Sequence, residues 1–399
     1  MASSMTTPEL TPVPYRITSI DLLRGIVMII MALDHTRDFF HIAAMNSVPL
    51  DPVNTKLSWF FTRWITHYCA PTFVFLSGMS AYLSSQKKKP GEASLFLFKR
   101  GLWLIFVEMV IVSFGLTFDP KFGFLIWQVI WAIGCSMIIL AAVRRLPNMW
   151  ILAIGAILFF GHDLVSRYHP PTPGTRSDII DVFFTAFNNI IPIGKTRIIG
   201  DFYAILPWTG VMLLGYGIGY WFTKEYPAAK RKRNLLISGF SLIVLFIMLR
   251  FINDYGDPSP RIELNNWRSI LSFLNTSKYP PSLMFCCMTL GPSILFLAIS
   301  ENIKAGWSRI ASVYGRVPFF YYILHFYILH VLVVITFFLT HHPSSEIRQT
   351  IFLFRPVNFG FNIIGTYVVW IVVVASLYFP CRWFYKYKMS HSQWWLKYL

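Results

Sequence analysis

The sequence predicts an all-α, polytopic membrane protein with about ten transmembrane helices and with both termini in the cytoplasm. Hydrophobic residues make up 55% of the chain and charged residues 13%, whereas soluble domains carry about 25% charged residues. Apolar runs recur along the sequence at close to the length of about 20 residues that a helix needs to cross a bilayer. Lysine and arginine cluster in alternate loops between these runs, which is typical of cytoplasmic loops.

The apolar runs define the predicted spans. They cover residues 20–40, 66–85, 97–117, 123–143, 149–165, 202–222, 234–252, 281–300, 316–339 and 360–383. A flexible cytoplasmic tail at 1–15 then precedes a transmembrane domain at 16–385, and a basic, aromatic cytoplasmic tail follows at 386–399. We expect a multi-pass protein, and the compact loops favour a bacterial inner membrane.

The basic clusters set the predicted orientation. Ten spans put all of them in the cytoplasm: Lys87–Lys89, Lys99 and Arg100, Arg144 and Arg145, Lys230–Arg233, Lys304 and Arg309, and the C-terminal Arg382, Lys386, Lys388 and Lys397. The longer loops at 41–65, 166–201 and 253–280 fall outside. The net charge of +17 thus follows the positive-inside rule. We expect membrane lipids as partners and no nucleic acid.

Charged and histidine residues within the first span indicate a functional site. Arg24 and His35 are 11 residues apart, which puts them on one helix face and about 16 Å apart along the axis. Asp21 and Asp38 lie close to the same stripe. Ionisable groups inside a membrane are costly unless they face a polar interior. The stripe therefore predicts a pathway or an active site.

His35 is the candidate general base, because a neutral imidazole exchanges protons near pH 7. Asp34 and Asp38 flank it and are candidates to orient it. The alternative is a structural histidine that is bonded to the carbonyl of a neighbouring helix. His67 belongs either to the same site or to the membrane interface.

Two further segments contain candidate groups, and neither predicts a metal. His325 and His330 lie about 140° apart on one helix, so they do not form an i, i+4 metal pair, and no H-E-x-x-H pattern occurs. The five cysteines lack metal-site or disulfide spacing. Lys278, in the run from Asn275 to Leu283, either contributes to an anion or sugar site or belongs to a helix cap.

These residues resemble those of a known superfamily. Arg24, ten residues and then His35 are similar to the Arg-x10-His signature of the membrane-bound acyltransferase-3 proteins. The segments Ser19–Gly25 and Pro71–Gly78 resemble the catalytic domain of heparan-α-glucosaminide N-acetyltransferase and its bacterial relatives. Gly315, followed ten residues later by His325, also fits that domain. The resemblance extends over residues 14–385.

The resemblance implies an acyltransferase that moves an acetyl or other acyl group from cytosolic acyl-CoA to a hydroxyl or amine of an outer-face glycan or glycolipid. It makes acetyl-CoA the expected donor. The catalytic candidates are His35, Asp34, Asp38 and His67, and the candidates for donor binding are Arg24, Asp21, His325 and Lys278.

This sequence departs from the lysosomal enzyme at the catalytic position. That enzyme has Asn where His35 stands, and its catalytic His corresponds to Asn46 here, with His41 nearby. The choice of His35 therefore depends on the acyltransferase-3 match, and His41 and His67 stay open as alternatives.

Two other functional classes are compatible with parts of the sequence. A proton-coupled transporter also uses intramembrane Asp, Arg and His, although no inverted repeat is visible. A non-catalytic scaffold leaves the charges of the first span unexplained. Binding of acyl-CoA separates the acyltransferase from the transporter, because a transporter has no use for CoA.

Overall fold

The computed structural model describes residues 18–170, 172 and 175–398, and these residues form mainly α-helices. The helices are α1 (Thr18–Phe40), α2 (Leu57–Thr66), α3 (Cys69–Ser85), α4 (Pro90–Val107), α5 (Ser113–Thr117), α6 (Val129–Val143), α7 (Asn148–Tyr168), α8 (Ile205–Ile218), α9 (Ala228–Ile252), α10 (Ser269–Leu274), α11 (Leu283–Ser300), α12 (Gly306–Arg316), α13 (Pro318–Leu339) and α14 (Ile363–Ser390). The strands are β1 (Phe124–Trp127), β2 (Asn189–Ile193) and β3 (Arg197–Asp201). The predicted tail at 1–15 lies outside the described residues.

A helix occupies each of the ten predicted ranges, but not all of these helices have the length and composition of a membrane span. Five helices of the described chain are long and apolar enough to cross a bilayer, namely α7, α9, α11, α13 and α14. α1 has 23 residues but carries five charged side chains. α8 has 14 residues, or about 21 Å, against a hydrocarbon core of about 30 Å. The chain is thus a helix-rich membrane protein, and the count of ten spans and their orientation stay predictions.

A three-stranded sheet corrects the prediction of an all-α fold. The strand order is β1-β3-β2, with β1 parallel and β2 antiparallel to β3. The predicted span at 123–143 therefore starts with a strand, and α6 begins only at Val129. β2 and β3 are joined at Gly194, whose φ of +62° suits glycine. Hydropathy did not reveal these strands because each has only four or five residues.

The predicted C-terminal tail is not separate from the helix bundle. α14 continues to Ser390 across the predicted boundary at 385. The last described turn then packs on α4, where the ring centroids of Tyr398 and Phe96 are 5.8 Å apart. Aromatic and basic residues beyond 385 thus cover the surface of α4.

α1 is the central helix of the bundle, and it contacts α2, α3 and α11–α14. Its closest approach is to α12, at Gly25 and Gly315. A Cβ atom at Gly25 would overlap with the carbonyl of Ala311, and one at Gly315 would overlap with the carbonyl of Asp21. Small residues let helix backbones meet in this way inside a membrane, so these glycines fix how α12 lies on α1.

A π-helical turn, Glu108–Val112, interrupts the predicted span at 97–117 between α4 and α5. Glu108 is fully buried there, and its Oε1 accepts a hydrogen bond of 2.8 Å from the backbone N–H of Gln128. The turn thus joins the end of α4 to the start of α6.

A buried arginine and a half-buried aspartate order the segment between α9 and α11. Arg250 donates to the carbonyl of Ser272 at 2.7 Å. Asp257 accepts from the N–H of Ser277 at 2.9 Å and from Ser282 Oγ at 2.8 Å. Ser282 also caps α11, so the capping interpretation of this run applies to Ser282.

Gly315→Ala is expected to destabilise the fold by about 1–3 kcal/mol, because its methyl group forces α12 away from α1. Gly161→Ala in α7 is the matched control, since no atom lies within 4 Å of its added Cβ and alanine favours a helix. Thermal unfolding of both variants in detergent checks this. Equal midpoints for the two variants would contradict the packing role of Gly315.

Stability is expected to depend on pH through Asp257, whose pKa is raised to about 6, chiefly by burial. An unfolded aspartate has a pKa of about 3.9, so the folded state holds more protons between these values. The unfolding midpoint should therefore fall as pH rises from about 4 to about 6 and then level off.

Asp257→Asn should reduce this pH dependence, and thermal scans at pH 4, 5, 6 and 7 measure it. The slope should not vanish, because the pKa of Asp201 is also raised to about 6 by burial. Asp254→Asn, at an exposed neighbouring position, is the control. If the unfolding midpoint of Asp257→Asn changes with pH as steeply as that of the unmodified chain, Asp257 does not contribute to the pH dependence.

Candidate functional site

Arg24 joins α1 to α3 and α12. Its guanidinium donates to Ser80 Oγ at 2.8 Å and to the carbonyl of Gly315 at 3.1 Å. It also lies 3.4 Å from the carboxylate of Asp21, one turn earlier. The two residues that the sequence assigned to donor binding on α1 thus stand together near the N-terminal end of that helix.

A cationic cavity of about 180 Å³ lies beside Arg24. Its polar walls are four basic side chains and three serines, with no carboxylate among the described lining residues: Arg24, Arg100, Arg316, Lys388, Ser77, Ser80 and Ser84. Within the described chain, Arg100 and Arg316 form neither a hydrogen bond nor an ion pair through their guanidinium groups. Such an excess of positive charge in a cavity attracts an anion.

The convergence of these basic side chains was not predicted from the sequence. Arg100 and Lys388 were interpreted only as charges that set the membrane orientation, although Arg316 stood beside the Gly315 motif. The three residues come from α4, α12 and α14, so no local spacing relates them. The signal available in the sequence was that Arg100 and Arg316 lie at the edges of predicted spans. The predicted topology puts both edges on the same side of the membrane as the N-terminal half of α1.

A second, narrower cavity of about 80 Å³ adjoins the first. The two share wall residues, including Phe73, Ser77, Arg100 and Phe319. The narrow cavity is otherwise mainly apolar, and it extends as far as Tyr322. Together the walls of the two cavities extend from the cationic side chains to Tyr322.

His35 and His325 meet beyond Tyr322. Their ring centroids are 5.2 Å apart, and the ring of His325 is 5.6 Å from that of Tyr322. His325 Nδ1 lies 3.3 Å from the carbonyl of Tyr321. Among the described residues, His325 Nε2 and the Tyr322 hydroxyl have no hydrogen-bond partner. If His325 donates through Nδ1, its free Nε2 is an acceptor.

His35 itself forms no hydrogen bond within the described part of the chain. Its ring packs on Phe326 at a centroid distance of 4.4 Å, and the residue is partly exposed. This arrangement differs from that of a histidine bonded to a neighbouring carbonyl. The imidazole nitrogens are therefore available to a bound molecule.

The aspartates beside His35 pair with arginines. Both carboxylate oxygens of Asp34 accept from Arg63, at 2.7 and 2.6 Å, and Arg37 lies 3.0 Å away. Asp38 accepts from Arg37 at 2.6 Å. Neither carboxylate forms a hydrogen bond with His35 in the described structure. Asp34 fastens α2 to α1 through Arg63, whereas Asp38 pairs with Arg37 on the same helix. The spacing of Asp34 and Arg37 was the available sequence signal.

Lys278 and His67 belong to the surroundings of the His35–His325 pair. The ammonium group of Lys278 is 5.1 Å from the centroid of the Tyr279 ring and forms no ion pair among the described residues. It is within electrostatic range of Asp34, His35 and His67. His67 is buried, and its Nδ1 has no partner in the described chain. Lys278 is thus close to His35 and not part of the cationic cavity.

The remaining histidines of these segments have structural contacts. His41 stacks on Trp59 at 3.6 Å, and its Nδ1 accepts the N–H of Ala43. The ring nitrogens of His330 lie 3.2 and 2.8 Å from the carbonyls of Gly115 and Leu353. His330 thus links α13 to α5 and to the loop at Leu353, and neither of its ring nitrogens is free for catalysis.

A larger cavity of about 470 Å³ lies between α7 and the segment that follows α9. Its walls include Asp163, Asp254 and Asp257, several hydroxyl groups and Arg167. Oδ1 of the buried Asp163 has no hydrogen-bond partner among the described residues. Tyr279 also lines this cavity, and it is within electrostatic range of Tyr322. Tyr279 thus belongs to the wall of this cavity and lies near Tyr322, which contacts His325.

Comparison with known proteins gives one family. No curated protein is significantly similar to the chain. Residues 16–249 match the family described as heparan-alpha-glucosaminide N-acetyltransferase, catalytic. The match spans more than half of the chain and includes Arg24, His35 and His67. The chain belongs to the catalytic-domain family of the heparan-alpha-glucosaminide N-acetyltransferases, and it is thus a membrane protein of a transferase family.

Proposed function

We propose that the protein transfers an acetyl or other acyl group from cytosolic acyl-CoA to a hydroxyl or amine of a glycan or glycolipid on the opposite side of the membrane. The observation that carries this proposal is the path outlined by two adjoining cavities, which lead from the cationic side chains to Tyr322, next to the His35–His325 pair. One end of the path suits phosphates, its middle is narrow and apolar, and a histidine pair stands at its far end.

The cationic cavity supports binding of the CoA phosphates. Phosphate groups prefer arginine and serine donors, and Arg100 and Arg316 have no competing carboxylate among the described residues. The volume of about 180 Å³ is below the usual range of about 300–1,000 Å³ for ligand pockets. We therefore assign it to the phosphates, with the nucleoside at its mouth.

The narrow cavity suits the pantetheine arm, which is slim and only weakly polar. Arg24 and His35 are about 16 Å apart along α1, and the arm would bring the thioester across this distance. The acyl carbon would then lie near Tyr322 and His325. The unpartnered hydroxyl of Tyr322 would donate to the thioester oxygen, and Lys278 would stabilise the negative charge that develops there.

His35 acts as the general base in this proposal. It takes the proton from the acceptor hydroxyl or amine while the acceptor oxygen or nitrogen bonds to the acyl carbon. The carbon–sulfur bond then breaks, and the CoA thiolate recovers a proton from the imidazolium. His325 holds the His35 ring through their contact, while Asp34 keeps α1 against α2 through Arg63.

The cavity at Asp163 and Tyr279 is the proposed entrance for the acceptor. Carboxylates and hydroxyls bind the hydroxyl or amine groups of a sugar, so its lining supports a carbohydrate acceptor. In this arrangement donor and acceptor approach His35 from opposite ends of the bundle. The domain at 16–385 would be the catalytic unit, and the expected site is a bacterial inner membrane. A transporter would not require the arginine cavity.

Arg100→Ala and Arg316→Ala should each weaken acetyl-CoA binding about tenfold to a hundredfold, because each removes charged hydrogen bonds to phosphate. Binding of radiolabelled acetyl-CoA to the detergent-purified protein measures this. Arg382→Ala, at an exposed position on α14, is the matched control. Acetyl-pantetheine, which lacks the phosphates, should bind the variants and the unmodified chain alike. No saturable binding of any acyl-CoA by folded protein would favour the transporter.

His35→Ala should lower acyl transfer about 10²- to 10⁴-fold, as expected for loss of a general base, while acetyl-CoA binding and thermal stability persist. Transfer to a panel of amino sugars and glycans, followed by mass spectrometry, measures this. His41→Ala and His67→Ala test the alternative bases, and His391→Ala is the exposed control. If His35→Ala still transfers acyl groups at a near-normal rate, His35 is not the general base, and His41 or His67 takes that role.

A further inference from the structure

His169, Asp178 and Asp181 form a cluster outside the histidine centre and outside the predicted spans. His169 ends α7, and the two aspartates lie just before β2 in the chain. His169 Nε2 is 3.3 Å from Asp178 Oδ2 and 3.5 Å from Asp181 Oδ1. All three atoms lie within 4.8 Å of one another. The sequence predicted no metal from the spacing of His325, His330 and the cysteines, and these three residues were not among its candidates.

The two distances from His169 suit a tetrahedral metal ion. Ligands that bind Zn²⁺ at about 2.0–2.1 Å stand about 3.3–3.4 Å apart along the edges of the tetrahedron. Both distances from His169 are close to this edge length. One imidazole nitrogen and two carboxylate oxygens are, in addition, ordinary ligands of Zn²⁺.

Asp201 provides an independent indication that positive charge is needed here. It is fully buried, and its Oδ1 has no hydrogen-bond partner in the described chain. Its Oδ2 accepts from Ser177, the residue before Asp178. Burial and the nearby carboxylate of Asp181 both raise the pKa of Asp201.

No lysine or arginine forms an ion pair with Asp178, Asp181 or Asp201 among the described residues. His169 is thus the only basic side chain that the described structure sets against them. Asp181 accepts hydrogen bonds from Thr185 Oγ1 at 2.8 Å and from the N–H of Asp178 at 3.2 Å. These neutral donors and a neutral imidazole supply no positive charge, and a buried carboxylate without a counter-charge is costly. A divalent cation would supply the missing charge and use the imidazole as a ligand.

We propose that His169, Asp178 and Asp181 bind one Zn²⁺ ion, with Asp201 in support and a water molecule in the fourth position. The ion would fasten the end of α7 to the segment that leads into β2. Pro170, next to His169, and Phe187 line the 470 Å³ cavity, so the ion would hold one wall of that cavity. Its role is structural and does not depend on the proposed acyl transfer.

The test is metal binding by the full-length chain, purified in detergent with a tag that contains no histidine and stripped with EDTA. Calorimetric titration with Zn²⁺ should give one site per chain. His169→Ala and Asp178→Asn should weaken this site about tenfold or more, since even partners of metal ligands change affinity by 10–100-fold. Asp178 is exposed, so its variant is expected to fold. His391→Ala is the histidine control.

Cobalt gives a second readout, because tetrahedral Co²⁺ absorbs visible light far more strongly than octahedral Co²⁺. Strong absorption that is lost in Asp178→Asn and kept in His391→Ala supports the site. Absence of Zn²⁺ binding by the folded chain would overturn the proposal and leave a His–Asp ion pair. Equal binding by His169→Ala and the unmodified chain would also overturn it.

Discussion

The fold is governed by the need to give the polar groups of α1 partners inside an apolar bundle. An unpaired charge in that setting costs several kcal/mol, so the charged side chains of α1 pair with one another or with another part of the chain. Arg24 reaches Ser80 on α3 and the carbonyl of Gly315 on α12. Asp34 recruits Arg63 of α2. His35 is the exception, because it has no hydrogen bond among the described residues, and that exception marks the candidate site.

Most of the site on α1 was predictable from the sequence, whereas its partners were not. The spacing of Arg24 and His35 predicts one polar face, since helical periodicity relates residues of the same helix. The contact of His35 with His325, and the convergence of Arg100, Arg316 and Lys388, depend on how separate helices pack. The sequence contains no local record of that packing. The aspartates beside His35 were misleading because adjacency along a helix does not give contact.

For the fold, too, properties of a single segment were predictable from the sequence, and contacts between distant segments were not. Long apolar helices such as α9 and α14 followed from hydropathy, because length and composition are properties of one segment. The β-sheet was missed because β1 and β3 are far apart in sequence and each is very short. The π-turn at Glu108 was also missed, since it replaces one pattern of backbone hydrogen bonds by another within a continuous apolar run.

The tyrosines between the cavities have a consequence for the membrane itself. An acyltransferase with openings on two sides is a potential leak for protons and ions, which would dissipate the membrane potential. Tyr203 and Tyr279 pack edge to face, with ring centroids 5.5 Å apart. Tyr322 is within electrostatic range of both. In the proposed function these three tyrosines would stand between the acceptor cavity and His35, where their packed rings would limit the leak of protons and ions during acyl transfer.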